Sequence, residues 1–228
     1  MNFKHYFYVT LVLSIIIQIL VTIVEITAVS IHVEPKYMIL HELLLVETIV
    51  EFIEFAFYVW VAYYFNEVIN VTPKRYIDWS LTTPSMLCGL VVYLIYLNYK
   101  EKGLDTSKLK LFNVLLENSS NLSYIIYLNF LMLIFGFLGE QKIINIVTST
   151  ILGFIPFLIY YYIIYINYAR QTKTGTQIFW YFFFFWSLYG IAAFFPYYIK
   201  NTFYNILDLF AKNFFGLFLS YLILTKKY

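Results

Sequence analysis

Charged residues are scarce in this chain of 228 residues. Asp, Glu, Lys and Arg together make up 12% of it, whereas hydrophobic residues make up 62% and the mean hydropathy is +0.75. Soluble domains have about 25% charged and about 45–50% apolar residues. The shortage of charge excludes an ordinary soluble globular domain and indicates an integral membrane protein that crosses the bilayer several times.

Cysteine, basic clusters and metal-binding patterns are also missing. Cys88 is the single cysteine, so no disulfide framework or CxxC redox site can form within the chain, and its simplest interpretation is a small buried residue. The formal net charge is only +2, and no basic cluster is dense enough to indicate a nucleic-acid partner. The sequence has no metal-ligand spacing, no nucleophile–base pair and no glycine-rich phosphate loop. It therefore predicts neither an enzyme nor a metal site.

Long apolar runs dominate what remains. A helix needs about 20 apolar residues to cross the hydrocarbon core, and polar breaks divide the chain into runs of that length. The candidate crossings cover residues 5–30, 37–65, 73–98, 120–139, 142–167, 176–198 and 201–225. We therefore predict an all-α membrane protein, with one seven-helix bundle as a single domain over residues 1–228. The first run is interpreted as a retained helix rather than a signal peptide.

The longest polar break covers residues 100–121. Within it, KLKLFNVLLEN has the pattern of a short amphipathic helix on the membrane surface, and a plain loop is the alternative.

Lysine and arginine are unequally divided between the two sides of the predicted bundle. Seven crossings put the termini on opposite sides, and the side richer in Lys and Arg faces the cytoplasm. The richer side holds Lys36, Lys100, Lys102, Lys108, Lys110, Arg170, Lys173, Lys226 and Lys227, and the other holds Lys4, Lys74, Arg75, Lys142 and Lys200. The N-terminus is therefore predicted outside and the C-terminus in the cytoplasm.

Two pairs of oppositely charged residues lie inside the third and seventh predicted crossings. Arg75 and Asp78 are one turn apart in the third crossing, and Asp208 and Lys212 share a face of the seventh. A charge at the membrane centre costs at least about 2.5–3.5 kcal/mol, so such residues usually face the interior and mark a functional path. Two ion pairs could also simply hold helices together, but apolar packing would do so without desolvating charges.

A buried lysine beside a carboxylate suits a Schiff base with a polyene aldehyde. The protonated linkage needs an anionic counterion in a medium of low dielectric. Asp78 and Asp208 would supply that charge to Lys212, and Arg75 would offset the second carboxylate.

Three segments resemble the signature segments of microbial, or type-1, rhodopsins. They are RYIDWSLTTP (75–84), FWSLYG (185–190) and LDLFAKNFFG (207–216), and their order and spacing match that family over essentially the whole chain. The resemblance implies a seven-helix bundle with all-trans retinal bound as a Schiff base to Lys212, and with Asp78 and Asp208 as counterions. It places around the polyene the side chains of Trp79, Thr82, Thr83, Met86, Met132, Trp186 and Tyr189.

Two further positions carry expectations from the same resemblance. Asn129 falls where the family often has an aspartate bonded to the threonine at Thr83. Met86 occupies a position at which an apolar residue implies green rather than blue absorption.

The third helix departs from the pattern of outward proton pumps. Such pumps usually carry a carboxylate eleven residues after the acceptor at Asp78, where it returns a proton to the Schiff base. Position 89 is glycine here, and the paired glutamates associated with proton release in archaeal pumps are missing. These departures argue against efficient pumping and leave a slow proton cycle open.

The second helix departs in another direction, toward an ion path. Glu47, Glu51 and Glu54 stand at i, i+4 and i+7, so they share one helix face that must point into the bundle. A row of carboxylates can replace the hydration shell of a cation and repel anions. The alternative is that these side chains are protonated and internally hydrogen-bonded. Nearer the helix ends, Glu25 and Glu42 are interpreted as solvated and His41 as interfacial.

Among microbial rhodopsins, the chain is similar to the viral rhodopsins of giant algal viruses, and within them to the group of light-gated cation channels. The residues that carry this similarity are Ser14, the glutamates of the second helix, Asn213 and the set Asp78, Thr82 and Gly89. It implies a cytoplasmic-side constriction formed by Ser14, Glu47, Glu54 and Asn213, with Glu51 as a competing lining residue. Arg75 and the counterions would form deeper gates.

The predicted function is that of a retinal photoreceptor acting as a light-gated channel for Na⁺ and K⁺. A light-driven outward proton pump is the first alternative, and a photosensor without transport is the second. The predicted partners are membrane lipid and monovalent cations or protons, and self-association into a homo-oligomer stays open. We expect a multi-pass membrane location, which would be a host-cell membrane if the protein is viral.

Overall fold

The computed structural model describes residues 2–67 and 70–228, and in these ranges every regular element is helical. The first six crossings and a short connecting helix are α1 (Phe3–Val29), α2 (Met38–Tyr63), α3 (Thr72–Glu101), α4 (Leu111–Glu117), α5 (Ser119–Glu140), α6 (Ile146–Asn167) and α7 (Lys173–Ala192). The last crossing consists of α8 (Tyr197–Asp208), a π-helical turn (Leu209–Asn213) and α9 (Phe214–Thr225). The predicted seven-helix architecture is confirmed.

By length and composition, five crossings are long and apolar enough to span a membrane. They are Phe3–Val29, Thr72–Glu101, Ser119–Glu140, Ile146–Gln171 and Tyr197–Thr225. Helix α2 falls outside this set because Glu47, Glu51 and Glu54 interrupt its apolar sequence, and α7 because Tyr and Trp take the place of aliphatic residues. Glu47, Glu51 and Glu54 are buried in the bundle, so neighbouring helices rather than lipid cover their carboxyl groups.

The boundary between the last two crossings differs from the prediction. The predicted sixth helix ran to residue 198 and the seventh began at 201, but α7 ends at Ala192 and α8 begins at Tyr197, directly after Pro196. Proline lacks an N–H, so it is tolerated at a helix start and not in the interior. The expected break at Lys200 lies inside α8, where the Lys200 Nζ atom is 2.7 Å from an oxygen of Glu140.

The polar stretch 100–121 contains a helix, as one of the two interpretations predicted. Helix α4 covers Leu111–Glu117, and Glu42 of α2 accepts a hydrogen bond of 2.6 Å from the Leu111 backbone N–H at its start. The side chains of Phe112 and Leu116 are exposed. Glu42 is therefore partly buried and caps a helix, which corrects its interpretation as a solvated end.

The bundle is apolar outside, and its largely apolar interior also holds a set of buried polar and charged side chains. The outer surface carries mainly aliphatic and aromatic side chains such as Leu20, Ile49, Ile151, Tyr162 and Phe184, whereas the buried set includes Gln18, Glu54, Arg75, Asn205 and Asp208. Lipid covers such an outer surface, while polar groups must find partners within the protein.

The two ends of the bundle are closed by different contacts. At the end that holds the start of α1, Phe7 packs against Phe65 and Tyr197. At the opposite end, the rings of Tyr37 and Tyr228 stack 3.7 Å apart. We refer to these as the N-terminal and C-terminal ends of the bundle, and their placement outside and in the cytoplasm stays a prediction.

Candidate functional site

Lys212 lies at the centre of the bundle, in the π-helical turn of the last crossing. Its Nζ atom is 2.6 Å from Asp78 Oδ2, 3.8 Å from Asp208 Oδ1 and 3.7 Å from Glu54 Oε1. All four side chains are buried. A π turn adds a residue to the helix repeat and is frequent at functional sites, and here it contains the lysine itself. The sequence carried no signal for this turn.

The two predicted counterions have different surroundings. Asp208 accepts hydrogen bonds of 2.6 Å from both Tyr58 and Tyr189 and one of 3.2 Å from Arg75. Asp78 accepts one from Lys212, and its Oδ1 atom has no partner within the described ranges. Asp208 is therefore held in place by three donors, whereas Asp78 keeps one oxygen without a hydrogen-bond partner among the described residues.

Arg75 is fully buried beside this cluster. Its Nη1 atom donates to Asp208 and, at 3.3 Å, to the Tyr58 hydroxyl. Its Nε atom donates to Asn201 at 3.0 Å, and Nη2 donates to Asn205. Two carboxylates thus neutralise two cations in crossed pairs, Lys212 with Asp78 and Arg75 with Asp208.

A cavity extends from Lys212 between α3, α5, α6 and α7, and its lining is predominantly apolar. Six of the predicted retinal-pocket side chains line it: Trp79, Thr83, Met86, Met132, Trp186 and Tyr189. Thr82 does not line it, and its hydroxyl donates to the Asp78 carbonyl at 3.0 Å. The sequence interpretation missed further lining residues, among them Tyr76, Gly136, Gly153, Phe157, Gly190 and Tyr204. These lie on helix faces that only the packing of the bundle identifies.

The residues around this cavity fit retinal. A primary amine lies at one end, and aromatic rings with large apolar faces line the walls. The indole N–H groups of Trp79 and Trp186 have no hydrogen-bond partner among the described residues. Both rings therefore offer mainly apolar contact surface to the cavity. Asn129 donates a hydrogen bond of 2.8 Å to Thr83, which joins α5 to α3 at the positions that the resemblance singled out.

The three glutamates of α2 are all buried in the interior. Glu51 accepts a hydrogen bond of 2.5 Å from Asn213, and Glu54 lies near Lys212. The Oε1 atom of Glu47 is 2.9 Å from the position that a Cβ atom on Gly89 would take. Neither oxygen of Glu54 has a hydrogen-bond partner in the part of the chain that the structure describes. The row thus leads from the C-terminal half of the bundle to Lys212.

Two neighbouring residues are not where the sequence interpretation put them. Glu25 of α1 is buried, with 1% of its surface exposed, and is not a solvated end. A Cβ atom on Gly216 would overlap the Oε1 atom of Glu25 and would lie 3.6 Å from the Cβ of Glu47. Glycine at 216 therefore makes the space that Glu25 occupies. The burial follows from this long-range fit, which the position of Glu25 near a helix end could not indicate.

Ser14 lies apart from the glutamate row. Its hydroxyl donates at 3.3 Å to the backbone carbonyl of Asn205 in α8, on the other side of Lys212 along the last crossing. Asn213 contacts Glu51 rather than Ser14. The four residues expected at one constriction are therefore distributed along the bundle. His41, which was expected near the interface, is half-buried, with a ring nitrogen 2.7 Å from the Val29 carbonyl.

Comparison with solved structures places this fold among seven-helix rhodopsins. The chain is similar to the viral rhodopsin OLPVRII, with 26% identity, a TM-score of 0.75 and full coverage of both chains. It is similar to a blue light-absorbing proteorhodopsin from Med12, with 21% identity, a TM-score of 0.72, and 97% and 98% coverage of the two chains. Xanthorhodopsin, described as a light-driven ion pump with a dual chromophore, gives 20% identity, a TM-score of 0.72, and 99% and 94% coverage. At their lower identity, the last two support the fold alone.

Sequence comparison gives the family. No curated protein sequence matches the chain significantly. The sequence model of the family described as bacteriorhodopsin-like protein matches residues 2–226. The chain therefore belongs to the bacteriorhodopsin-like family of microbial rhodopsins, helical membrane proteins whose chromophore is retinal.

Proposed function

We propose that this protein carries all-trans retinal on Lys212 and that light opens a path for monovalent cations through its interior. The observation that carries the proposal is the row of buried carboxyl groups on α2. Two glutamates of this row contact the Lys212 site. Glu54 lies 3.7 Å from the Lys212 Nζ atom, and Glu51 accepts a hydrogen bond of 2.5 Å from Asn213, the residue after Lys212. Charge change at Lys212 therefore acts directly on the groups that would line the path.

When bound, retinal supplies a light-absorbing polyene whose isomerisation moves the nitrogen of Lys212 relative to its surroundings. In the dark, Asp78 balances the proton on that nitrogen at 2.6 Å. Displacement of the nitrogen weakens this contact, and the free oxygen of Asp78 is suited to accept the proton. Asp208, held by two tyrosines and Arg75, keeps its charge and its position.

Loss of the charge on Lys212 changes the balance of the central cluster. Glu54 and Asp208 then face one cation, Arg75, instead of two. Carboxyl oxygens without internal partners are suited to bind water or a partly dehydrated cation in place of the lysine. The path that we propose runs from Arg75 through Glu54 and Glu51 to Glu47. With the orientation predicted from Lys and Arg, Glu47 lies on the cytoplasmic side.

Voltage-clamp of cells that express the protein and are supplied with retinal tests the proposal. A channel gives a photocurrent that changes sign with voltage and whose reversal potential follows the Na⁺ or K⁺ gradient. A photocurrent that stays outward at all voltages contradicts the channel and supports a pump. A photocycle without current contradicts both and supports a photosensor.

Glu54→Gln tests whether the path passes the centre of α2. Glutamine keeps the size of the side chain and removes its charge, so we expect a smaller photocurrent or a shifted reversal potential. Glu34→Gln is the matched control, because the Glu34 side chain is 66% exposed and pairs with Lys36 at the surface. Currents equal to those of the unmodified protein would remove Glu54 from the path.

One observation favours the outward proton pump as a second candidate. The position eleven residues after Asp78 is Gly89, but the space beside that glycine holds the carboxyl group of Glu47 from α2. A carboxyl group is thus supplied there by a neighbouring helix, and it could return a proton to Lys212. Glu47→Gln would then slow the recovery of the dark state, and added azide, a small diffusible proton carrier, would restore it.

A further inference from the structure

The contacts of Arg75 on the N-terminal side come from two asparagines of α8. Asn201 accepts from Nε at 3.0 Å, and Asn205 accepts from Nη2. Both asparagines are fully buried. They stand four residues apart and so lie on one face of the helix. Arg75 is therefore held between Asp208 and Tyr58 on one side and a pair of neutral amides on the other.

Each amide also donates a hydrogen bond, so it connects Arg75 to another part of the bundle. The Asn201 amide nitrogen donates to the Thr72 hydroxyl at 2.9 Å, at the start of α3. The Asn205 amide nitrogen donates to the Thr10 hydroxyl of α1 at 3.0 Å and, at 3.4 Å, to the Phe7 carbonyl. Asn205 therefore connects Arg75 to α1, a helix that has no hydrogen bond to Arg75 of its own among the described residues.

We infer that Asn205 is a positioning residue that couples α1 to Arg75, and that the Thr10–Asn205–Arg75 chain holds the gate closed at the N-terminal end. This deepens the proposed function and rests on it where it concerns the gate. An asparagine suits the role because its side chain accepts from Arg75 and donates to α1 at the same time. A leucine can do neither, and an aspartate can only accept.

The direction of the effect follows from where the amides lie. They hold Arg75 toward the Tyr197 end of α8, away from Lys212. Without them, the attraction of Asp208 draws the guanidinium toward the centre, where it favours ionised carboxylates. A carboxylate at 205 acts in the opposite direction, because it holds Arg75 outward and adds a negative charge.

The visible absorption band of the retinal-bound protein reports these changes during an acid titration. Protonation of the carboxylate beside Lys212 alters the field on the chromophore and shifts the band. The charged and titratable groups that face this carboxylate are Arg75, Lys212, Asp208, Glu54, Tyr58 and Tyr189. None of them is changed in the variants below.

Thr10→Val is the central variant, because Thr10 contacts neither Arg75 nor the cavity at Lys212. We expect it to lower the midpoint of the acid titration by about 0.5 pH unit, the size that one lost hydrogen bond gives. Asn205→Leu should lower the midpoint further, and Asn205→Asp should raise it. In an Asn205→Leu background, Thr10→Val should have no additional effect, because the route from Thr10 through Asn205 to Arg75 is already gone.

Two controls separate this coupling from a general disturbance of α1. Thr10→Ser keeps the hydroxyl and should restore the midpoint of the unmodified protein. Thr27→Val changes an exposed threonine of the same helix, whose hydroxyl donates to the Ile23 carbonyl, and should have no effect. A Thr10→Val midpoint equal to that of the unmodified protein, or equal shifts with and without Asn205, would overturn the inference.

The titration requires no transport, so it distinguishes failure of this inference from failure of the proposed channel. If the midpoints move as expected but no photocurrent reverses with voltage, the coupling of α1 to Arg75 is supported and the proposed channel function is contradicted. If the channel exists, the Thr10→Val variant should close more slowly after light than Thr10→Ser. Equal closing rates in the two variants would contradict the role of the chain in the gate.

Discussion

Asp78 and Asp208 carry the same charge beside Lys212, but their hydrogen bonds give them different tasks. Asp208 has two tyrosine hydroxyls and Arg75 as donors, and Asp78 has Lys212. Removing a partner from a buried charged network typically costs about 3–5 kcal/mol, because it leaves an uncompensated charge. The carboxylate with more donors is therefore the one whose loss the fold tolerates less.

Asp208→Asn should lower the melting temperature of the purified protein clearly more than Asp78→Asn. It leaves Arg75 without its one carboxylate at 3.2 Å, whereas Lys212 in the Asp78→Asn variant still has Asp208 and Glu54 within 4 Å. Thermal unfolding of both variants in the same detergent measures the difference. An equal or opposite order would show that Asp208 is not the structural anchor of the cluster.

The charged residues at the centre were predictable from the sequence, because charge within an apolar run is rare and LDLFAKNFFG places Asp208 and Lys212 one turn apart. The burial of Glu25 was not predictable. Glu25 lies near the end of its helix, and this position suggested contact with water. Its burial depends instead on Gly216, which is nearly two hundred positions away along the chain. Thr82 shows the same limit, since helix periodicity puts it near the predicted retinal site but cannot show that Thr83, and not Thr82, lines the cavity.

At the scale of the helices, the last crossing depends on two local features. The π-helical turn at Leu209–Asn213 contains Lys212. Gly216, the third residue of α9 and one turn beyond Lys212, lets α1 and α2 approach closely. A Cβ atom on Gly216 would overlap the Glu25 Oε1 atom and would lie 2.8 Å from the Cδ atom of the same side chain. Any side chain at 216 must therefore displace the Glu25 carboxyl group from a buried position.

Gly216→Ala should destabilise the protein by about 1–3 kcal/mol, the usual cost of overpacking an interior. Combining it with Glu25→Ala should recover part of that loss, because the smaller residue vacates the space that the new methyl group needs. Thermal unfolding of the single and double variants gives the comparison. Additive losses in the double variant would contradict the contact between these two positions.

Helix existence followed from the apolar runs, whereas helix ends depended on single residues. The first five crossings begin and end within a few positions of the prediction, because polar breaks coincide with the connections. Between the last two crossings no charged break exists. Pro196 begins α8 there, and Lys200, which was taken as the break, is neutralised by Glu140 inside the structure.

For the whole molecule, the orientation in the membrane follows from the distribution of Lys and Arg. Most of these residues lie at the C-terminal end of the bundle, around α4 and the connection between α6 and α7. Since the cytoplasmic side of a membrane protein is enriched in Lys and Arg, that end should face the cytoplasm.

An epitope tag added after Tyr228 tests this orientation in expressing cells. We expect an impermeant antibody to label it only after the plasma membrane is permeabilised, whereas a tag placed before Phe3 should be labelled on intact cells. Labelling of the C-terminal tag on intact cells would reverse the orientation and would put Glu47 on the outer side. The direction of any pumped proton would reverse with it.

The central claim is that Lys212, balanced by Asp78 and Asp208, holds retinal in this protein, and absorption spectroscopy tests it most directly. Purified protein incubated with all-trans retinal should develop a band in the green, and Lys212→Ala should stay colourless in the visible range. Lys142→Ala, at an exposed lysine outside the cavity, is the matched control and should form the band normally. A colourless unmodified protein, or a visible band that persists in Lys212→Ala, would contradict the account.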